Sequence, residues 1–465
     1  MKFSTVGSFT LLLCASVLGS PIIQHRSATP GVVHFPIEAR TPPKERLVRR
    51  LRKRDSNSTV TMTLDNEINN GAYLTNITVG TPGQSLRVQV DTGSSDLWVQ
   101  SSDNPDCQVS QNFCATTKTF DDADSSSFTA TSADFTITYA DGSFARGEYV
   151  KDTLGFGGIA VDDFQFGLAT NSTSSLGVFG IGFDTNEVAS TTYENLPDRL
   201  VSEGFIGVKA YSLWLNDIDS STGNVLFGGL DLGKFTGELV TVDMLPTVAT
   251  IYAQFLLRLT DITYGSGSSN NTTILSSSNG DPAVNVVLDS GTTYGVLPES
   301  IVSAIAEAIG STQYSSDYGL YLLDCSLQDS TATVNLTFNG QATLAVGLNQ
   351  LVVPIEYNSQ GNTLCALGVQ ASSSSTSDAL QSATYLLGDA FLRSGYIVYD
   401  LDNKQISLAQ AVFNSDTTDI VVLNSTGVTG QSGKGTSSTS SALRLRGPGL
   451  WAVVGVALLA GVFVL

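Results

Sequence analysis

The chain has 465 residues, enough for two or three domains, and its formal net charge is −20. Residues 1–54 hold ten of the 23 Lys and Arg residues but only two of the 43 Asp and Glu residues, so residues 55–465 are strongly acidic. Such a surface repels phosphate backbones, which argues against nucleic-acid binding, and solubility at low pH is the ordinary alternative reason for the charge.

The two histidines, His25 and His34, both lie in the basic N-terminal segment. A chain that has lost this segment contains no histidine, which excludes Ser-His-Asp and Cys-His catalysis and metal sites with histidine ligands. Any acid–base chemistry then rests on carboxylates, and we expect no metal and no cofactor.

The start of the chain indicates secretion and processing. Residues 1–20 combine Lys2, a short apolar run and terminal small residues, which is the pattern of a signal peptide. Residues 21–54 end in a basic cluster at 49–54, which is typical of a propeptide, although a basic run can also be a nucleic-acid patch. A cationic propeptide over an acidic cleft would act as an intramolecular inhibitor.

From residue 55 onward the sequence predicts an all-β fold. Short runs rich in Val, Thr, Ile, Phe and Tyr are separated by clusters of Gly, Asn, Asp and Ser, and residues 73–79 alternate between apolar and polar types. The best helical patterns are at residues 200–203 and 301–309.

The stretch 88–99, V-Q-V-D-T-G-S-S-D-L-W-V, places an acid at the end of an apolar strand. A buried carboxylate such as Asp91 is costly unless it is fully hydrogen-bonded. Gly93 allows the backbone to turn, and the hydroxyls of Thr92 and Ser94 are donors within local reach.

Residues 134–150 have the pattern of a β-hairpin, with Asp141, Gly142 and Ser143 at an exposed tip. We expect Tyr139, beside the tip, to be an exposed aromatic residue. It has a binding role if the hairpin overhangs a cleft, and ordinary cross-strand packing is the alternative.

A second acid follows a second apolar strand, because residues 284–288 lead into Asp289, Ser290, Gly291 and Thr292. One D-[ST]-G sequence is a common turn. Two copies, each after an apolar strand and each followed by two hydroxyl residues, are not explained by turn formation alone.

The two acids belong to an internal duplication, since each is followed after about a hundred residues by two hydrophobic residues and a glycine. Two similar lobes that meet at a pseudo-twofold axis would bring the acids together. The sequence predicts an N-terminal lobe at 55–246 and a C-terminal lobe at 247–414, with the boundary near 243–253. Two carboxylates in contact share one proton, so the ionised member can activate a water while the protonated member polarises a carbonyl.

The composition changes after the second lobe. Residues 415–441 form a Ser/Thr-rich stalk, and residues 442–465 end in an apolar tail, the signature of a GPI-anchor signal that is cut off. A retained membrane span is the alternative. We therefore expect passage through the secretory pathway to the cell surface, with a lipid anchor at the plasma membrane or cell wall.

The motifs D-T-G-S-S-D-L-W-V, I-T-Y-A-D-G-S, D-S-G-T-T and L-L-G-D-A-F-L occur in this order, and together they resemble the pepsin-like aspartic proteases. The resemblance implies a bilobal pepsin-like fold, with two related β-barrel-like lobes and the active-site cleft between them. It also implies an aspartic endopeptidase that cuts protein or peptide substrates at acidic pH. We expect a monomer.

The resemblance assigns site residues in three groups. They are the catalytic pair Asp91 and Asp289; the supports Thr92, Gly93, Ser94, Ser290, Gly291 and Thr292; and the flap and substrate-binding residues Trp98, Tyr139, Asp141, Gly142 and Ser143. Ser94 and Thr292 would bond the outer oxygens of the acids, and Gly93 and Gly291 the inner oxygens. Ser290 stands where Thr is commoner in the family, and its hydroxyl keeps the interaction.

The flap residues also bear on specificity. The resemblance places Tyr139 over the cleft, with Trp98 as its hydrogen-bond partner. A carboxylate at position 141 near the first specificity pocket would attract Lys or Arg, so we expect basic as well as large apolar P1 residues. Stabilisation of the turn by Asp141 is the alternative.

Two local disulfides are a simpler account of the cysteines beyond Cys14 than a zinc site. The resemblance pairs Cys107 with Cys114 and Cys325 with Cys365. Together with the propeptide and the anchor signal, these pairs resemble the fungal yapsin and candidapepsin branch. Sequons for N-glycosylation occur at Asn57, Asn76, Asn171, Asn270, Asn271, Asn335 and Asn424. Because Asn270 and Asn271 are adjacent, we do not expect both to be modified.

Three rival functions remain open at this stage. A pepsin-like fold could bind peptides without cutting them, but both acids and their hydroxyl supports are present. A two-carboxylate glycosidase does not need two matching D-[ST]-G loops or a flap hairpin. A structural wall glycoprotein would explain the stalk and the anchor, but not the duplicated acids.

Overall fold

The computed structural model describes residues 59–67, 71–109, 113–115, 117–265, 271–357, 363–372, 385–428 and 430–436. The segments assigned to the signal peptide, the propeptide and the anchor signal lie outside these ranges, as do Asn57 and Asn270. Within the described ranges, no helix has both the length and the apolar character needed to cross a membrane.

Strands make up about half of the described residues and the helices are few, which confirms the all-β prediction. In the first half they are β1 (Val60–Glu67), β2 (Ala72–Val79), β3 (Gln84–Asp91), β4 (Leu97–Gln100), β5 (Thr129–Thr138), β6 (Phe144–Phe156), β7 (Ile159–Ser172), β8 (Gly177–Gly180), β9 (Ala210–Trp214), β10 (Thr222–Phe227), β11 (Gly229–Asp231) and β12 (Phe235–Asp243). In the second half they are β13 (Leu256–Gly265), β14 (Thr272–Ser276), β15 (Val284–Leu288), β16 (Gly295–Pro298), β17 (Tyr314–Ser315), β18 (Leu320–Leu323), β19 (Thr333–Phe338), β20 (Ala342–Gly347), β21 (Val352–Tyr357), β22 (Thr363–Leu367), β23 (Val369–Ser372), β24 (Tyr385–Leu387), β25 (Gly395–Asp400), β26 (Gln405–Ala411), β27 (Ile420–Val422) and β28 (Ser432–Lys434).

The helices are short. They are α1 (Pro105–Val109), α2 (Leu196–Ser202), α3 (Glu299–Ile309), α4 (Leu348–Leu351) and α5 (Asp389–Leu392). The predicted helix at 301–309 is α3, which ends at Gly310 with a φ of +98° because glycine adopts this left-handed conformation without strain. The predicted helix at 200–203 begins earlier, since Pro197 is compatible with the first turn of α2 and Leu196 supplies a buried contact.

Six strands of the first half form a closed barrel, in the order β2, β3, β8, β4, β7 and β6. The ring closes where β6 returns to β2, with Thr78 opposite Gly155 and Val79 opposite Leu154. The flap strand β5 extends the sheet beyond β6. The second half has an eight-stranded sheet in the order β20, β19, β13, β15, β24, β16 and β23, with β14 paired to β13.

One arrangement of strands occurs in both halves. The strand β3, which ends in Asp91, runs parallel to β8, and β4 pairs antiparallel with the other edge of β8. In the second half β15, which precedes Asp289, runs parallel to β24, and β16 pairs antiparallel with β24. The repeat confirms two related lobes, each of which presents an acid at the end of a central strand.

The two halves are joined by a shared sheet. The strand β9 of the first half pairs antiparallel with β25 of the second half, from Ala210–Asp400 to Trp214–Tyr396. Buried aromatic rings pack on this junction, and the centroids of Tyr211 and Tyr399 are 5.1 Å apart. The hydroxyl of Tyr399 lies 3.5 Å from the carbonyl oxygen of Leu288, directly before the second acid. The junction between the two halves therefore contacts the strand that leads into Asp289.

Candidate active site

The structure brings Asp91 and Asp289 together, and both side chains are fully buried. The two carboxyl groups lie within hydrogen-bonding contact of each other. We call residues 91–94 the first acid loop and residues 289–292 the second acid loop. Each loop carries a glycine that faces the acid of the other loop, because a Cβ on Gly93 would lie 2.5 Å from Asp289 Oδ1 and one on Gly291 would lie 2.4 Å from Asp91 Oδ1.

Reciprocal hydrogen bonds lock the two loops to each other. The backbone N–H of Ser290 donates to the hydroxyl of Thr92 at 2.9 Å, and the N–H of Thr92 donates to the hydroxyl of Ser290 at 3.2 Å. The Thr92 hydroxyl in turn donates to the carbonyl of Leu288, and the Ser290 hydroxyl to that of Val90. The hydroxyls of Ser290 and Thr92 therefore play equivalent parts: each accepts from a backbone N–H of the opposite loop and donates to a backbone carbonyl of the opposite half.

Each carboxylate also has two donors from its own loop. Oδ1 of Asp91 accepts from the N–H of Gly93 at 2.7 Å, and Oδ2 accepts from the hydroxyl of Ser94. In the second loop, Oδ1 of Asp289 accepts from the N–H of Gly291 at 2.8 Å and Oδ2 from the hydroxyl of Thr292 at 2.5 Å.

These surroundings act against ionisation of both acids at once. Burial raises the pKa of Asp91 and of Asp289, and the negative charge of Asp91 raises the pKa of Asp289 further. The donors of each loop lower the pKa values in part, so ionisation of one member remains possible. The pair is therefore suited to hold one proton between two oxygens.

The hairpin of β5 and β6 has the predicted tip at residues 140–143. Its turn is held by a hydrogen bond from the N–H of Gly142 to the carbonyl of Tyr139 at 2.9 Å, and Gly142 adopts a φ of +82°. The exposed Asp141 accepts from the N–H of Ser143 through Oδ1 at 2.8 Å, which is a bond that stabilises the turn.

The prediction that Tyr139 is exposed is wrong, because only 4 % of this residue is accessible to solvent. Its hydroxyl accepts a hydrogen bond from Nε1 of Trp98 at 2.6 Å. Its ring packs among buried residues that include Phe135, Ile137 and Val178. The aromatic ring is therefore turned inward from the exposed tip.

The sequence motifs predicted no role for Asp96, which lies in the same motif as Asp91. This acid is fully buried, and its Oδ1 accepts from the hydroxyls of Tyr149 at 2.7 Å and Tyr193 at 2.9 Å. Oδ2 accepts from the N–H of Val188 at 3.0 Å. Asp96 thus ties the flap strand β6 to the loop around residue 190. Its position after two serines was the available signal, but its partners are distant in sequence.

Glu187, which lies near Asp96 and Tyr193, was also not predicted from the sequence. It accepts from the N–H of Tyr193 at 2.9 Å, while its Oε1 is buried without a hydrogen-bond partner in the described structure. Burial, followed by the negative charges of Asp96, Asp184 and Asp198, raises the pKa of Glu187 from 4.5 to about 9. The glutamate therefore stays protonated in the folded protein at pH values where an unfolded chain ionises it.

We expect this glutamate to destabilise the fold as the pH rises. The pKa of Glu187 is higher in the folded protein, at about 9, than in the unfolded chain, at 4.5. Its contribution to the free energy of unfolding is therefore complete below pH 4.5 and is lost as the pH rises through about 9. Glu187→Gln cannot ionise and can still accept from Tyr193, so its unfolding free energy should fall less than that of the wild type between about pH 4 and pH 8. Urea unfolding across this range measures the difference. Glu194→Gln, at an exposed position nearby, should follow the wild type, and equal pH dependence in all three proteins would contradict the assignment.

Both predicted disulfides are present, between Cys107 and Cys114 and between Cys325 and Cys365. The described sequon asparagines lie at the surface, except that Asn335 is half-buried and donates to the hydroxyl of Thr263 at 3.3 Å. The exposed ones are Asn76, Asn171, Asn271 and Asn424.

Comparison with known proteins shows similarity to one protein family and to several fungal proteases. The model of the family described as eukaryotic aspartyl protease matches residues 72–411. The protein named "Probable aspartic-type endopeptidase opsB" of Aspergillus oryzae is 41 % identical over 414 residues, which cover 87 % of this chain and 81 % of that protein. The "Acid protease" of Saccharomycopsis fibuligera is 39 % identical over 77 % of this chain and 85 % of its own length. "Secreted aspartic protease 5" of Candida albicans is 35 % identical over 80 % of this chain and 82 % of its own length.

Proposed function

The chain belongs to the pepsin-like eukaryotic aspartyl protease family and is an aspartic endopeptidase, and from this premise we propose that Asp91 and Asp289 are its catalytic pair. The observation that carries this assignment is the contact between the two buried carboxyl groups, each bonded by a glycine N–H and a hydroxyl of its own loop. Substrates are proteins and peptides, and the working range is acidic because one member must stay protonated.

In the proposed mechanism the ionised carboxylate removes a proton from a water held between the two acids. The water oxygen attacks the peptide carbonyl carbon while the protonated acid donates to the carbonyl oxygen. When the tetrahedral intermediate collapses, one acid protonates the leaving amine and the C–N bond breaks. At the same step a hydroxyl of the intermediate returns its proton to the other carboxylate as the C=O bond re-forms, so the pair again holds one proton. Hydrogen bonds from Gly93, Ser94, Gly291 and Thr292 hold the four carboxyl oxygens in position throughout.

The flap hairpin supplies the other side of the cleft in this proposal. Tyr139 is fixed by Trp98, and the tip, at which Asp141 and Gly142 are exposed and Ser143 is half-buried, can contact a peptide. Because peptide substrates are extended, the tip can offer backbone hydrogen bonds along the chain.

A peptide-library digest tests the function. The propeptide-free chain is incubated with the library from about pH 3 to pH 7, and products are identified by mass spectrometry. We expect internal cleavage that is strongest at the acidic end. Products trimmed only from peptide ends, or no cleavage at any pH, would contradict an endopeptidase that works in acid.

We propose that Asp141 makes basic P1 residues acceptable besides large apolar ones. Asp141→Asn removes the charge but keeps the oxygen that accepts from Ser143, so the turn is preserved. The ratio of kcat/KM for a Lys substrate to that for a matched Leu substrate should fall by about tenfold. Glu148→Gln, on the exposed face of the same hairpin, should leave the ratio unchanged. If Asp141→Asn left the ratio of kcat/KM for the Lys and Leu substrates unchanged, Asp141 would stabilise the turn without affecting P1 specificity.

We also propose the maturation route that the sequence predicts. Residues 1–20 direct secretion, residues 21–54 inhibit the enzyme until they are removed, and residues 442–465 are exchanged for a lipid anchor. The predicted stalk at 415–441 is in part folded, because β27 pairs with β11 and β28 pairs with β12, so the spacer before the anchor begins only after β28. The mature enzyme acts as a monomer at the cell surface, with lobes at 55–246 and 247–414. The secreted Candida relative and the exposed sequon asparagines support secretion.

A further inference from the structure

Gly291 is held by hydrogen bonds at both of its polar groups. Its N–H donates to Oδ1 of Asp289 at 2.8 Å, and its carbonyl accepts from Nε2 of Gln89, also at 2.8 Å. The second bond joins residues 202 positions apart, so a side chain of the first half holds the loop that carries the acid of the second half. Gln89 is 8 % exposed, and without its amide the carbonyl of Gly291 would be left unpaired in a buried site.

The position of Gly291 matters because its Cα faces the opposite acid. A Cβ on this residue would lie 2.4 Å from Oδ1 of Asp91, so a small rotation of the glycine changes the space available to the pair. The three atoms nearest to a Cβ at Gly291 all belong to the carboxyl groups of Asp91 and Asp289. The strand neighbours of Gln89, which are Leu74 on β2 and Val178 on β8, carry no charge.

The first acid loop is held in a comparable way from within its own half. Nδ2 of Asn186 donates to the carbonyl of Gly93 at 3.2 Å. The residue two positions before Asp289 is Val287, which has no side-chain donor and cannot return the contact that Gln89 makes. Both carboxamides that hold the acid-loop glycines therefore come from the first half of the chain.

We propose that Gln89 is a positioning residue for the catalytic pair: its amide fixes the carbonyl of Gly291 and so sets how closely the second acid loop approaches Asp91. This inference rests on the proposed function of Asp91 and Asp289. The amide acts through the loop and not on the substrate, so its loss should lower kcat and leave KM nearly unchanged.

Two substitutions with nearly the same shape test the role, with kcat and KM measured on one peptide across the pH range. Gln89→Met has no donor, and its kcat should fall about tenfold at every pH, with KM within about threefold of the wild type. Gln89→Glu can donate to the carbonyl only when it is protonated. Its kcat should approach the wild-type value at the acidic end, and the upper limb of its pH profile should move down by about one pH unit.

Matched controls are Gln100→Met and Gln100→Glu. Gln100 is also a buried glutamine, but its Nε2 donates to the hydroxyl of Ser172 at 2.7 Å, on β7. Both controls should keep the wild-type pH profile. A wild-type pH profile of kcat in Gln89→Glu would overturn the proposal, and so would an unchanged kcat in Gln89→Met. If Gln89→Met does not fold, the pH profile of Gln89→Glu alone decides. A wild-type enzyme that cuts no peptide would instead contradict the proposed function, so the two failures are distinct.

Discussion

Replacing Asp91 by asparagine is expected to lower kcat/KM by about ten-thousandfold while the fold is retained. Asparagine has the shape of aspartate, so its side-chain oxygen can still accept from the N–H of Gly93 and its amide can donate to the hydroxyl of Ser94. It cannot take a proton from water. Asp289→Asn should lose as much, because in the proposed mechanism the two acids exchange roles within one turnover.

The measurement is kcat/KM on a peptide taken from the library digest, together with thermal unfolding. A suitable control is Asp231→Asn, because Asp231 is also buried and its Oδ1 accepts from the N–H groups of Gly233 and Asp419, which asparagine can satisfy. We expect full activity in this control. More than about one per cent of the wild-type activity in either pair variant would contradict a catalytic role for both acids.

The second large effect is expected at the acid-loop glycines, where Gly291→Ala should lower kcat by about a thousandfold. The added methyl group would lie 2.4 Å from Oδ1 and 2.6 Å from Cγ of Asp91. That carboxylate cannot withdraw, because the N–H of Gly93 and the hydroxyl of Ser94 hold it. The loops would therefore separate, and the shared proton would lose its short path.

Gly93→Ala provides a symmetric repeat of this experiment, since its methyl group would lie 2.5 Å from Oδ1 of Asp289. Gly395→Ala is the control, because its nearest neighbour would be a flexible side-chain atom of Ile397 at 3.1 Å, away from the pair. Single-turnover and steady-state rates give kcat, and circular dichroism reports the fold. If Gly291→Ala or Gly93→Ala kept a tenth of the wild-type kcat, catalysis would not require the close approach of each glycine to the opposite acid.

Local patterns were sufficient to predict much of the fold and of the site. The alternation before Asp91 and Asp289 identified the strands, and the duplicated D-[ST]-G sequence implied that the two acids meet. The turn at Asp141–Ser143 was also readable, because Asp and Gly favour this geometry locally. Each of these patterns lies within a few consecutive residues, and the meeting of the two acids followed from finding one such pattern twice.

Features that depend on distant residues were not readable in this way. Tyr139 belongs to a hairpin with an exposed tip, yet Trp98 on another strand provides a buried partner for it. The environments of Asp96 and Glu187 are made by tyrosines from β6 and from the loop near residue 190. The hydrogen bond from the side-chain amide of Gln89 to the carbonyl of Gly291 joins residues 202 positions apart and has no signature in the local sequence. The raised pKa of Glu187 has no local signature either.

The antiparallel pairing of β9 with β25 has a consequence for how the enzyme is made on the ribosome. The first half can close its own barrel early, but the sheet that supports both acid loops needs residues 395–411, which are translated long after residues 210–214. Contacts of such large sequence separation form slowly. The edge of β9 that pairs with β25 therefore lacks its native partner until residues 395–400 have been translated, and the contact of Tyr399 with Leu288 before Asp289 can form only after that point.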